Sequence, residues 1–109
     1  MKVYLDDERK TPEGWERVYT AADAIALLES GVVEEISLDH DLCNAHYAGQ
    51  MDSTTGYAVV LWLENKVRDD ENFVMPIVRI HSFNPVGREN MKRGLQRIRE
   101  FIWERENAG

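Results

Sequence analysis

Hydrophobic positions along the chain fall into two kinds of pattern. Short apolar runs end abruptly in polar residues, and longer stretches repeat at helical spacing. Lys2–Leu5 is a short strand candidate that stops at Asp6. Thr11-Pro12-Glu13-Gly14 is a turn signal, and Arg17-Val18-Tyr19 reads as a second short strand. Thr20 is placed to cap a helix over Ala21–Glu29, with Ala21, Ala24, Ile25 and Leu28 on one face. Ser30-Gly31 ends that helix, and Glu35–Leu38 forms a third strand. Residues 43–54 are irregular and polar. Thr54 or Thr55 then caps a helix from about Gly56 to Val67, apolar nearly all round and so central. Met75–Ile80 is the fourth strand, with Pro76 at its first position, where a missing N–H is tolerated. Asn84-Pro85 opens a long final helix with Met91, Leu95, Ile98 and Ile102 along one face.

The predicted order is β–β–α–β–α–β–α. Such alternation predicts a small doubly wound α/β domain over residues 1–109, with a mostly parallel four-stranded sheet and helices on both faces. Right-handed crossovers bring the carboxyl ends of strands one, three and four to one edge. Asp6, Asp7, Asp39, His40, Asp41, His81 and Ser82 then converge there. Ligands of open α/β sheets bind at such strand ends. Carboxylates gathered at that edge would hold a divalent metal or shape a phosphate site.

Composition narrows the classes of function. Hydrophobic residues make up 43% of the chain, enough for one ordinary core. The single cysteine, Cys43, excludes an intramolecular disulfide and a cysteine-rich zinc site. No apolar run reaches the roughly 18 residues of a membrane span, and the N-terminus turns acidic too early for a signal peptide. A cytoplasmic protein without a membrane partner is expected. Net charge is −7. It is concentrated before residue 87, because residues 87–109 carry six Lys/Arg and four Glu. That balance disfavours long nucleic acids and leaves a small anionic ligand compatible.

Four blocks carry a family resemblance: Leu5-Asp6-Asp7-Glu8-Arg9; Ser37-Leu38-Asp39-His40-Asp41-Leu42; Thr55-Gly56-Tyr57 with Trp62-Leu63; and His81-Ser82-Phe83-Asn84-Pro85-Val86-Gly87 with Asn90-Met91. In this order they resemble the motifs of cyclic-phosphate-processing receiver-like domains, and more distantly those of response-regulator receivers. The resemblance implies a truncated receiver or flavodoxin-like fold. It also implies a magnesium site at the acidic pair Asp6 and Asp7, with Asp39 at the phosphoacceptor position. The chain departs from receivers in two ways. His81 precedes the Ser at the fourth strand's end, and the fifth strand with its Lys is missing, which argues against phosphorelay signalling.

The chemistry of these residues fits that implication. Asp6, Asp7 and Asp39 are the candidate ligands of a divalent metal, Mg²⁺ or Mn²⁺, which suits oxygen donors and leaves room for a phosphate. The structural alternative is that these acids cap helices or pair with Arg9 and Arg79. Opening a cyclic phosphodiester takes one proton from a nucleophile and gives one to a leaving oxygen. Histidine suits both steps, which makes His81 and His40 candidates beside Asp39. Each histidine has the alternative of donating to a loop carbonyl. Ser82, Asn84, Gly87, Arg88 and Asn90 surround a helix start, where free N–H groups and the dipole favour phosphate. The expected function is a metal-assisted phosphoesterase acting on a cyclic nucleotide or a 2′,3′-cyclic phosphate end. Alternatives are a binding module that sequesters a cyclic nucleotide, or a degenerate receiver phosphorylated on Asp39. Trp62, Phe101 and Trp103 are expected in the core or in helix packing, and Trp15 lines a pocket or covers an edge. A sheet edge without a fifth strand would allow pairing with a second copy in a homodimer.

Overall fold

Every predicted strand finds a partner. In the computed structural model, which describes residues 1–6, 9–39, 56–81 and 85–108, the strands are β1 (Lys2–Leu5), β2 (Glu16–Val18), β3 (Glu35–Leu38) and β4 (Ile77–Ile80). The helices among the described residues are α1 (Ala21–Ser30), α2 (Gly56–Asp69) and α3 (Pro85–Asn107). All strand pairs are parallel, in the order β2-β1-β3-β4. This is the α/β class expected, a receiver or flavodoxin-like parallel sheet with four strands among the described residues.

Boundaries follow local hydrogen bonding. Thr20 caps α1 by accepting from the Asp23 N–H, and the Gly31 N–H closes the other end onto the Leu28 carbonyl. The fourth strand starts two residues later than the apolar run. Pro76 has no N–H to give, whereas the Ile77 N–H donates to the Glu34 carbonyl at 3.0 Å. The second strand pairs one residue earlier than predicted, at Glu16–Val18.

Register separates the two faces of the sheet. Val3, Ile36 and Val78 align across one row, and Leu5, Leu38 and Ile80 across another, on the same face. These rows join one core with Ala24 and Leu28 of α1, Val59, Val60 and Leu63 of α2, and Met91, Leu95 and Ile98 of α3. All three described helices therefore lie on this face. The sequence led us to expect cover on both faces, and among the described residues no helix supplies the second. That face carries Tyr4, Ser37, Glu35 and Arg79. Glu35 pairs with Arg79 there, and the Trp15 ring stands edge-on to Tyr4 at 6.2 Å. Trp15 thus covers part of the polar face. Two of the three other aromatics expected in packing are there, since Trp62 meets Phe73 and Phe101 borders the core. Trp103 does not follow them: it is 65% exposed. It lies one residue beyond Ile102, about 100° further round the helix, and so points outward.

The α2–α3 contact is close at Gly94, where an added Cβ would sit 2.5 Å from Val60 Cγ1. Alanine gains about 1 kcal/mol in helix propensity. Overpacking against a fully buried β-branched side chain costs about 1–3 kcal/mol. Gly94→Ala is therefore expected to lower stability by about 1 kcal/mol in urea unfolding, and a rise would contradict the close approach.

Candidate functional site

The sheet ladder itself delivers the site residues to one edge. Each lies one residue beyond its strand and still makes the next rung. The Asp6 N–H donates to the Val18 carbonyl at 3.2 Å, the Asp39 N–H to Leu5 at 3.2 Å and the His81 N–H to Leu38 at 3.0 Å. The Gly56 N–H at the start of α2 donates to the Asp39 carbonyl at 3.0 Å. Backbone bonds from three directions thus hold Asp6, Asp39 and His81 at the carboxyl ends of β1, β3 and β4.

Their side chains meet. One ligand atom from each of Asp6, Asp39 and His81 lies within 4.8 Å of the others. Asp6 is fully buried and Asp39 is 5% exposed. Burying carboxylates is costly without compensation, and Arg9 supplies part of it. The Arg9 N–H donates to Asp6 Oδ1 at 2.9 Å, and Arg9 Nη1 to Asp6 Oδ2 at 2.8 Å. The same Nη1 lies 3.6 Å from Asp39 Oδ2. Burial pulls the Arg9 pKa down, but the bond to Asp6 and the charges of Asp39 and Asp6 outweigh it and raise the value.

His81 is held on three sides. Its Nε2 lies 3.0 Å from Asp6 Oδ2, and its Nδ1 lies 2.6 Å from Ser37 Oγ. Tyr4 stacks flat on the imidazole, with centroids 4.4 Å apart and planes 5° from parallel. Burial lowers the His81 pKa against the upward pull of Asp6. A neutral ring then donates from Nε2 to the carboxylate and accepts the Ser37 hydroxyl at Nδ1. Burial likewise raises the Tyr4 pKa, assisted by the charge of Asp6.

Of the residues singled out from sequence, the structure gathers Asp6, Asp39 and His81. Gly87, Arg88 and Asn90 occupy the first turns of α3, with Gly87 buried and Arg88 and Asn90 exposed. Asp7, Glu8, His40, Asp41, His46, Ser82 and Asn84 lie outside the described residues. The alternatives raised for the acids and histidines divide. Arg9 does pair with the acids, whereas Arg79 pairs with Glu35. His81 bonds side chains in place of a loop carbonyl. Sequence reasoning missed Ser37 and Tyr4. A signal for Ser37 was present, because a polar residue between Ile36 and Leu38 must face away from them in a strand.

No described helix is long and apolar enough to cross a membrane. No curated protein and no solved structure matches the chain. A family model described as the cyclic-phosphate processing receiver domain matches residues 1–97, which include the strand order and the edge residues above. The chain belongs to the cyclic-phosphate processing receiver domain family.

Proposed function

We propose that this domain is a metal-assisted phosphoesterase acting on a cyclic phosphate. The observation that carries the reading is the meeting of two buried carboxylates and an imidazole at the carboxyl edge of a parallel sheet. The donor set fits a hard divalent cation. It is rich in carboxylate oxygen, and Arg9 brings one positive charge against two carboxylates. Asp6 and Asp39, with Asp7 as the adjacent acid, would hold Mg²⁺ or Mn²⁺. The bound ion would act as a Lewis acid on the phosphate and make water a better nucleophile.

The chain's own residues supply the rest. His81 is the proton-transfer group, with Ser37 and Tyr4 fixing the direction of its ring. His40 is a second candidate for that role. Ser82, Asn84, Gly87, Arg88 and Asn90, around the start of α3, are assigned to the phosphate, which the helix dipole favours. Arg88 adds a fork suited to anionic oxygens.

A substrate panel tests the reading. Cyclic 2′,3′- and 3′,5′-mononucleotides and cyclic dinucleotides are incubated with the protein in Mg²⁺, Mn²⁺ or EDTA, and products are identified by mass. Ring opening of at least one class is expected with metal and none in EDTA. Tight binding with every substrate recovered intact would replace the enzyme by a sequestering module.

A further inference from the structure

Arg9 occupies an unusual position for a residue three places from a candidate metal ligand. Its Nη1 lies 2.8 Å from Asp6 Oδ2 and 3.6 Å from Asp39 Oδ2, so one nitrogen is within ion-pair distance of both carboxylates. Its own backbone N–H takes Asp6 Oδ1, so side chain and main chain together engage both oxygens of Asp6. The Arg9 side chain is 28% exposed, which leaves it a route outward that neither buried acid has. We infer that Arg9 is a resident cation of this site: it holds Asp6 and Asp39 together before a divalent ion arrives and must be displaced for that ion to bind. The inference rests on the metal reading proposed above.

The physical argument is competition for the same lone pairs. A divalent ion held by Asp6 and Asp39 would take a carboxylate oxygen from each. Asp6 Oδ2 already accepts from Arg9 Nη1 and His81 Nε2. A guanidinium and a divalent ion drawing on the same two carboxylates repel each other, and the lone pairs of Asp6 Oδ2 are already engaged. The guanidinium therefore leaves, giving up charge-assisted hydrogen bonds that are among the stronger ones in a protein. Its loss is charged against metal affinity. In the metal-free protein the same bonds prevent two buried carboxylates from facing each other uncompensated. Arg9 thus trades metal affinity for stability of the empty site.

Two measurements test this, neither of them activity. The first compares Mg²⁺ binding to wild type and Arg9→Gln by calorimetry, together with thermal melts with and without Mg²⁺. Glutamine keeps an N–H donor but ends two bonds short of the terminal guanidinium nitrogens and carries no charge. Arg9→Gln is expected to bind Mg²⁺ about tenfold or more tightly. It should also melt lower than wild type without metal and recover most of the difference at saturating Mg²⁺. The second uses the wild-type protein, so it does not depend on the variant folding. Arg9 side-chain nitrogen signals are followed by NMR during Mg²⁺ titration, while the Asp39 amide reports occupancy. They are expected to change from a hydrogen-bonded to a solvated pattern as the Asp39 amide shifts. Mg²⁺ binding in wild type with unchanged Arg9 signals, or equal or weaker binding in Arg9→Gln, overturns the inference and leaves the metal site standing. Absence of Mg²⁺ and Mn²⁺ binding in both proteins overturns the metal reading, and this inference with it.

Discussion

Asp39→Asn is expected to reduce cyclic-phosphate turnover by at least about 100-fold while changing unfolding free energy by no more than about 1 kcal/mol. The magnitude follows from the metal chemistry proposed above. Even supporting groups around metal ligands are worth about 10–100-fold, and a ligand itself should exceed them. The small stability change has a different origin. Asparagine has nearly the same shape, and the backbone of residue 39 keeps its bonds to Leu5 and Gly56. The lost ion pair to Arg9 is longer than the one Arg9 makes to Asp6, at 3.6 Å against 2.8 Å. Removing one of two facing carboxylates also relieves repulsion. Parallel turnover assays and urea melts check both parts. Full activity in the variant would remove Asp39 from the mechanism. A loss of several kcal/mol would make it a structural residue.

Gly56→Ala is expected to lower stability by about 2–3 kcal/mol and to reduce activity further than the unfolded fraction explains. An added Cβ would stand 2.5 Å from the Asp39 carbonyl oxygen and 3.2 Å from Leu38 Cβ. The obstacle is backbone and cannot rotate away as a flexible side chain would. The same carbonyl accepts the Gly56 N–H, so β3 and α2 cannot separate without losing that bond. Relief must come from shifting residue 39, which carries the carboxylate of the site. A displacement of about 1 Å at a reacting group can cost about 100-fold in rate. Urea unfolding gives the first number, and activity per folded molecule at low temperature gives the second. Wild-type values for both would show that α2 does not set the position of Asp39.

Much of the candidate site was legible in the chain because strand ends are local features. An apolar run that breaks into Asp6, Asp39 or His81 marks the carboxyl end of a buried strand, and right-handed crossovers allow few arrangements of such strands. The Thr20 cap and the periodic faces of α1 and α3 were equally plain, since capping and helical spacing act within a few residues. Edges of elements shifted where a single backbone group decided them, as at Pro76 and Ile77.

What the sequence by itself determined is the α/β class and the gathering of Asp6, Asp39 and His81 on one edge. Both depend on hydrophobic periodicity and on chain chirality. What only the tertiary structure decided is how those side chains are partnered and where the helices lie. Ser37 reaches His81 across 44 positions, and His81 reaches Asp6 across 75. Tyr4 lies on the imidazole because β1 and β4 flank β3. Arg9 turns back between two carboxylates whose separation is set by sheet register, and no local pattern encodes that distance. The placement of α1 and α2 on one face likewise follows from strand order, since the crossovers from β2 to β3 and from β3 to β4 move in the same direction, whereas α3 joins them by packing Gly94 against Val60 of α2.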